Sequence, residues 1–512
     1  MTDQFPGPKT RQALERGIPL FRDGLRFEEE LEKAGRRGFR TANQIVIDRV
    51  EGDFIWDLDG RRYIDFQNGW ATNPIGNAHP EILEAVDAAH RRYGFHYDHP
   101  LRYDLAEMLA EIMPGRALPR FNYEVSGTEA AEAAVHLALT HTKRRYIITF
   151  SAAYHGMGIG TKLLDGLDGE MNRYLEAWTG GVIKAPYPYS DQSPAGMSQA
   201  QYVDYCLWYL DNHIPGCIAP RDNIAAILVE PGLAEGGNWI PPTNFLQGIR
   251  EICDKNDWLM IADEVLTGLG RTGKMWAVEH YDVVPDILVV GKNLSGGIAP
   301  CAGIASKDEI LGDTDGFMSG STFAGTPAGC AAGIKTLEIY ERDKVVEHAA
   351  RLGELAAKAM LQWEQYDIVR QVRGNGLLMG VSFQSPDPKD KNWWYARSVR
   401  NRMLNHGVWA ISDREDTIRM YPALNMDEKT LLEGLEIMHE AIRYVNEHGQ
   451  QEGDSPGWPN GVAGFELQLT GLAVYWFSAK QREHDLRVRN RLRFDREQVL
   501  VDNNQVGELA DF

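Results

Sequence analysis

Short apolar runs alternate with amphipathic stretches from residue 79 to residue 340, and this alternation constrains the fold more than any other feature. The runs read "RFNYEVS", "RYIITF", "AAILVE", "WLMIAD", "DILVVG" and "AGIAS". Among them lie segments such as "TEAAEAAVHLALTHTK" and "NFLQGIREICDKND", whose apolar residues recur at helical spacing. Runs that are apolar at nearly every position are covered on both faces. The pattern therefore predicts an α/β protein with a mostly parallel sheet. Ligands of such sheets sit beyond the carboxyl ends of the strands.

The texture differs on either side of this region, and 512 residues exceed what one core usually serves. Residues 1–74 read as an N-terminal segment belonging to a smaller domain, with "GLRFEEELEKAGRRG" partly helical. "NQIVIDRVEGDFIWDLDGRRYIDF" reads as a β-meander turning at Glu51-Gly52 and Asp59-Gly60. Residues 75–340 form the large domain and 341–449 a smaller α+β domain in which helices alternate with "GLLMGVSF" and "TIRMYP". "GQQEGDSPGWPNG" reads as a linker into a C-terminal extension, 450–512, of unknown role. Its "FELQLTGLAVYWF" is apolar enough to pack on the body or on a second subunit.

A formal charge of −20 argues against nucleic acid or an anionic membrane as partner. No apolar run approaches bilayer length, and "MTDQFPGPKTRQ" has no apolar signal core. The five cysteines, an odd number without C-x-x-C spacing, fit a reduced cytoplasmic protein, and no metal is expected.

Chemistry-bearing residues stand where the strands end. "SGTEAAEAA" after the first run is either a phosphate-binding turn at a helix start or an ordinary helix cap. "SAAYHGMG" puts Tyr154 beside a glycine, to lie on a planar ring or to sit in the core. Glu230, Asp263 and Lys292 end or follow the next three runs. "ADEVLTGLGRTGK" spells G-x-G-x-x-G at Gly268, Gly270 and Gly273, and nearly a phosphate loop, except that Met275 replaces its Ser or Thr. A dinucleotide loop should open a long helix and place an acid about twenty residues on. Here the segment that follows is short and the next run leads into Lys292. The glycines therefore read as a flexible turn, with Arg271 a structural salt-bridge partner.

A phosphate turn, an aromatic, a carboxylate and a lysine together match the needs of pyridoxal 5'-phosphate. The phosphate needs N–H and hydroxyl donors, the ring nitrogen a carboxylate, and the aldehyde a lysine. Nearby cations and desolvation favour the neutral amine that this lysine must present.

The series "SGTEAAEAA", "YHG", "VEPGLAEGG", "IADEVLTGLGRTGK", "PDILVVGKNLSGG" and "STFAGTPAGCAA" resembles the class III (ω-type) aminotransferases over residues 40 to 447. "DGRRYIDFQNGWATNPIGNAHPEI" and "IRMYPALNMDEK" extend the likeness. The resemblance implies a fold-type-I pyridoxal-phosphate enzyme, with a large domain on a mostly parallel seven-stranded sheet and a smaller α+β domain. It assigns Lys292 as the cofactor-bearing lysine and Asp263 as the partner of the ring nitrogen. It gives the phosphate to Gly127 and Thr128 and the two ring faces to Tyr154 and Val265, with Glu230 among the cofactor's neighbours. Thr322 resembles the threonine that reaches a phosphate across a dimer interface, so a homodimer or tetramer follows.

Arg419 resembles the arginine that forks onto a substrate α-carboxylate. Glu235 resembles the glutamate that pairs with it when the substrate lacks that group, which favours 2-oxoglutarate over pyruvate as amino acceptor. Trp70 either lines the amine pocket or packs beneath it. Two positions depart from the family pattern. Leu266 replaces a glutamine near the ring hydroxyl, and Met157 replaces the arginine with which 4-aminobutyrate and ornithine enzymes grip a distal carboxylate. The expected activity is transfer of an amino group from a primary amine or ω-amino acid to a keto acid by ping-pong chemistry. An amino-acid racemase or epimerase, or a phospho-lyase, is the alternative on the same residues.

Overall fold

The computed structural model describes residues 7–17, 45–96, 98–166, 175, 180–189, 193–194, 196–387, 389, 394–414 and 416–450. The stretches "GLRFEEELEKAGRRG" and "FELQLTGLAVYWF" lie outside them. After helix α1 (Pro8–Gly17), strands β1 (Ile47–Glu51), β2 (Phe54–Asp57) and β3 (Arg62–Asp65) form the expected antiparallel meander. Helices α2 (Pro80–Tyr93) and α3 (Pro100–Ile112) each begin on a proline, where the missing N–H costs nothing.

The alternating region then runs β4 (Arg120–Glu124), α4 (Gly127–Thr142), β5 (Tyr146–Phe150), α5 (Ile159–Leu164) and β6 (Val182–Ala185). It continues α6 (Gln199–Trp208), β7 (Ile224–Val229), α7 (Thr243–Asn256), β8 (Leu259–Asp263), β9 (Ile287–Val290) and β10 (Ala302–Ser306). Helices α8 (Pro327–Asp343) and α9 (Val345–Leu361) precede β11 (Val369–Asn375) and β12 (Leu378–Phe383). The last elements are α10 (Tyr395–Asn405), β13 (Val408–Trp409), β14 (Ile411–Arg414), β15 (Thr417–Met420) and α11 (Glu428–His448).

Seven strands make the central sheet in the order β4-β10-β9-β8-β7-β5-β6. All neighbours are parallel except β10, which runs against both β4 and β9. Every residue of β7 and β9 is buried, as their unbroken apolar sequences require of a sheet covered on both faces. Helix α7 shows how the covering works: Phe245, Leu246, Ile249, Ile252 and Cys253 are buried at three- and four-residue spacing. Each such large side chain contributes on the order of 1.5–3 kcal/mol by leaving water. The helix stops at Asp257, in the left-handed conformation at φ +52°.

Two four-stranded sheets flank the centre, β1-β2-β3-β13 and β11-β12-β15-β14. Val408 and Trp409 pair with Ile64 and Asp65, so chain from near residue 410 completes the N-terminal meander. In the central sheet, the sequence order of the strands reverses between β5 and β7. The loops that follow these two strands therefore diverge and open a crevice at the carboxyl edge.

Candidate active site

Helix α4 begins at this edge. Its cap, Ser126, accepts the Glu129 amide on Oγ at 3.3 Å and the Ala130 amide on its carbonyl at 3.0 Å. Glu129 turns back to take the Val125 amide at 3.0 Å. The amides of Gly127 and Thr128 find no acceptor among the described residues, and with the helix dipole behind them they suit an anion. The cap and the anion-facing amides are different atoms of one turn. Thr128 Oγ1 accepts the Met157 amide at 3.2 Å, tying this turn to the loop after β5. A Cβ on Gly127 would lie 2.8 Å from Val265 Cγ1, and one on Gly291 3.5 Å from the same atom. Val265 therefore stands between the turn and the residue preceding Lys292, and only glycine fits at position 127.

The loops after β5 and β7 are joined through Glu230. One of its oxygens takes the Tyr154 amide at 2.8 Å and the other the Ala234 amide at 3.0 Å. Burial pushes the Glu230 carboxyl up to about 7, opposed by His155 and assisted by the charge of Asp263. Beside Tyr154, His155 is buried and donates from Nδ1 to Asp263 Oδ2 at 2.7 Å. The Val265 amide donates to Asp263 Oδ1 at 3.1 Å, and the His155 amide donates to Asp165 Oδ1 at 2.6 Å. Burial opposes a charged imidazole, yet the hydrogen bond to Asp263 and the charges of Asp263, Glu230 and Asp165 outweigh it and raise the His155 pKa. His155 is the functional candidate that sequence reasoning passes over. Its one signal is position: a histidine adjoining Tyr154 in the loop after a strand end.

Adjacent residues of a strand face opposite ways, which separates Asp263 from Glu264. Glu264 turns away from His155 and accepts the Thr267 hydroxyl at 2.5 Å and the Val278 amide at 2.8 Å. Burial raises its carboxyl to about 7. Its bonds hold the turn that follows the strand.

Lys292 follows β9 after Gly291 and is half-buried. Its φ of +38° is unusual for a residue with a Cβ, and such strain costs about 1–3 kcal/mol at sites where the surroundings enforce it. Burial drives its pKa down; Glu235, Asp263 and Glu230 push it up without cancelling the effect, and Arg419 acts with burial. The neutral amine is thereby favoured, and Arg419 is the nearby cation that the sequence calls for.

Arg419, on β15, is fully buried. Its Nη2 donates to Glu235 Oε2 at 2.8 Å, and Nη1 to the Ala234 carbonyl at 3.2 Å and Tyr421 Oη at 3.1 Å. Nearby, Asn68, Gly69, Trp70 and Ala71 make one left-handed turn, with φ between +54° and +63°. Trp70 packs there against a cluster containing Ala234, Leu266 and Tyr421. The Tyr421 amide bonds to the Phe66 carbonyl at 2.7 Å, stitching this turn to the end of β15.

The structure thus gathers Gly127, Thr128, Tyr154, Glu230, Asp263, Val265 and Lys292 at the crevice, with Glu235, Arg419 and Trp70 beside it. Thr322 is apart: it is exposed and has no hydrogen bond to any of these among the described residues.

The glycine turn departs from expectation. Arg271 has no carboxylate partner among the described residues; it is fully buried and donates from Nη1 to the Pro422 carbonyl at 2.6 Å and the Leu377 carbonyl at 3.3 Å. Burial lowers its pKa to about 10. The turn is also a packed one rather than a loose one, since Gly268, Leu269, Gly270, Arg271 and Thr272 are all buried. A Cβ on Gly268 would lie 2.8 Å from the Glu264 carbonyl oxygen and one on Gly273 3.1 Å from Ala350 Cα, so these glycines serve close backbone approach. The following 3-10 segment, Ala277–Tyr281, is too short for a dinucleotide-binding helix.

These residues fit pyridoxal phosphate on the structure's own terms. Two unclaimed amides stand at a helix start, where a Cβ on Gly127 would run into Val265. Asp263 is a buried carboxylate whose donors are one imidazole and one amide, leaving lone pairs for a ring N–H. A half-buried lysine faces them with its charge disfavoured.

Comparison with known proteins agrees. The family described as Aminotransferase class-III matches residues 38–442. A "probable 4-aminobutyrate aminotransferase" of Bacillus subtilis (strain 168) is 30% identical over 428 residues, 81% of this chain and 97% of that protein. The leucine/methionine racemase of Thermococcus litoralis is 30% identical over 436 residues, 83% of this chain and 97% of that protein. The crystal structure of taurine:2-oxoglutarate aminotransferase from Bifidobacterium kashiwanohense, in complex with pyridoxal phosphate and glutamate, superposes with a TM-score of 0.74 at 25% identity. It covers 79% of this chain and 94% of that one. The crevice and the match over most of the chain lead to one conclusion: this chain belongs to the class III aminotransferases, fold-type-I enzymes whose cofactor is pyridoxal phosphate.

Proposed function

We propose that this aminotransferase moves an amino group from a primary amine or ω-amino acid to a keto acid, with 2-oxoglutarate favoured over pyruvate. The observation that carries the reading is the buried Arg419–Glu235 ion pair at 2.8 Å. With Glu235 in place, Arg419 is neutralised and a donor without an α-carboxylate meets no unpaired charge. With Glu235 withdrawn, the guanidinium fork meets a keto acid's carboxylate. One arginine then serves both halves of the reaction. Met157 leaves no arginine for a distal carboxylate, which argues against 4-aminobutyrate and ornithine as preferred donors and weighs against 2-oxoglutarate too, so the preference for 2-oxoglutarate rests on Glu235 alone.

When bound, pyridoxal phosphate supplies an aldehyde carbon for the amino group and a ring that delocalises the electron pair left on the substrate's Cα. The chain's residues do the rest. Lys292 Nζ, favoured as a free amine, takes the proton from the substrate's Cα. Asp263, oriented by His155, holds a proton on the ring nitrogen. Tyr154 and Val265 would flank the ring, and the Gly127 and Thr128 amides would hold the phosphate. Glu230 keeps the Tyr154 loop in place, and Trp70 bounds the amine pocket. The enzyme works in the cytoplasm as a homodimer, with Thr322 completing the neighbouring subunit's phosphate site. Its exposure, beside Phe323 at 61% and Met318 at 86%, supports this assembly.

A donor panel tests the proposal. Each amine is mixed with the cofactor-loaded protein in single turnover, and released pyridoxamine phosphate is quantified by mass. If no amine yields it, transamination is wrong. The similarity to a racemase favours a second reading, racemisation or epimerisation. Deuterium uptake at Cα without keto-acid product would establish that one.

A further inference from the structure

Arg419 is held by two different kinds of partner. Its Nη2 meets the carboxylate of Glu235, whose side chain is 17% exposed, whereas its Nη1 meets the wholly buried Tyr421 Oη and the Ala234 carbonyl. Tyr421 follows Arg419 by two residues at the end of β15, which lets both side chains share a face. The polarity of the contacts is fixed, because a guanidinium only donates. Arg419 donates to Tyr421 Oη, Tyr421 donates to Asn238 Oδ1 at 2.8 Å, and Asn238 Nδ2 donates to the Met379 carbonyl on β12 at 2.7 Å. The chain of donors ends on sheet backbone.

The loop that bears Glu235 is pinned from the other side as well. Arg373 Nε donates to the Gly237 carbonyl at 2.7 Å, and its guanidinium lies 3.8 Å from the centre of the Trp239 ring. Asn238 sits at φ +56°, a conformation that asparagine tolerates. The backbone on both sides of the ion pair is thus fixed, so exchange at Arg419 falls to side-chain rotation at Glu235.

We propose that Tyr421, backed by Asn238, is a positioning residue that anchors the Nη1 side of Arg419, so that substrate carboxylate exchanges with Glu235 on the Nη2 side alone. The proposal rests on the reading of Arg419 as the carboxylate site. Without the anchor the guanidinium gains rotational freedom, and each incoming carboxylate must order it. Tyr421→Phe keeps the ring in its apolar cluster and removes only the hydroxyl.

Glutarate, which has two carboxylates and no carbonyl to react, is titrated into the cofactor-loaded protein by calorimetry. The wild type binds it, Arg419→Ala does not, and Tyr421→Phe binds it about tenfold more weakly, as expected for one lost hydrogen bond to a charged group. Asn238→Gly, which accepts the positive φ, weakens binding in the same direction by a smaller factor. In steady state, Tyr421→Phe raises the keto-acid KM by a larger factor than it lowers kcat. A Tyr421→Phe protein that melts earlier yet binds glutarate like the wild type makes Tyr421 merely structural and overturns the proposal. If Tyr421→Phe does not fold, unchanged binding by Asn238→Gly overturns it equally. Should the wild type fail to bind glutarate, or Arg419→Ala bind it normally, the carboxylate reading of Arg419 falls and the proposal falls with it.

Discussion

His155 Nδ1 donates to Asp263 Oδ2 across 2.7 Å, joining the loop after β5 to the end of β8. The bond orients the carboxylate that we propose meets the ring nitrogen. His155→Leu removes the side-chain donor to Asp263, and a lost hydrogen bond to a charged group costs about 1.5–3 kcal/mol. The cofactor's dissociation constant, measured by titrating apo-protein and following absorbance, should rise on the order of 10–100-fold.

Gly127→Ala tests the phosphate turn. The added methyl meets Val265 Cγ1 at 2.8 Å, so Val265, the residue proposed to flank the ring, must shift. Cofactor affinity should fall by about tenfold, since overpacking costs about 1–3 kcal/mol. The same titration reads it, and circular dichroism of the apo-protein should show the fold intact.

Much of this crevice is legible in the amino-acid sequence. Asp263 and Lys292 end or follow apolar runs, and in a parallel sheet such positions share one edge. Hydrophobic patterning reports that edge directly. It does not report contacts between residues distant in sequence whose types fit several roles. His155 and Asp263 lie 108 residues apart, and a histidine after a tyrosine carries no sign of its partner. Arg271 reads as an ion-pair residue because arginine usually is one; burial among carbonyls leaves it main-chain acceptors instead. Strands β6, β11, β13 and β14 leave no comparable mark. β11 half-buries polar and apolar residues alike, and β13 has two residues, too short for a periodicity. The left-handed turn at 68–71 places Trp70 and Ala71 beside Asn68 and Gly69, against the propensity that marks such turns.

Glu264 makes a prediction about pH. Its folded-state pKa, about 7, lies above the ordinary 4.5, so between these values the folded protein keeps a proton that the unfolded chain has lost. Stability therefore declines as pH rises through that window. Glu264→Gln can accept the Val278 amide and donate to Thr267, and it does not titrate. The melting temperature of the wild type minus that of Glu264→Gln should fall from pH 4.5 to pH 7 and level off above it. A difference independent of pH would show that Glu264 is ionised in the fold throughout.

Glu235→Gln removes the carboxylate charge facing Arg419 Nη2. A keto acid's carboxylate then faces no competitor, and its KM should fall by about threefold or more, as expected for a charge-assisted bidentate contact. A donor without an α-carboxylate meets an unpaired buried charge, and its kcat/KM should drop by about tenfold. Steady-state kinetics with each substrate varied in turn separates the two effects. Parallel changes for both substrates would contradict the exchange.

The central claim is that Lys292 carries the cofactor, and borohydride reduction tests it most directly. The cofactor-loaded protein is reduced, digested and mapped by mass spectrometry. The account predicts a pyridoxyl group on Lys292 and its loss in Lys292→Ala. A label on Lys274 or any other lysine, or none at all, would contradict it.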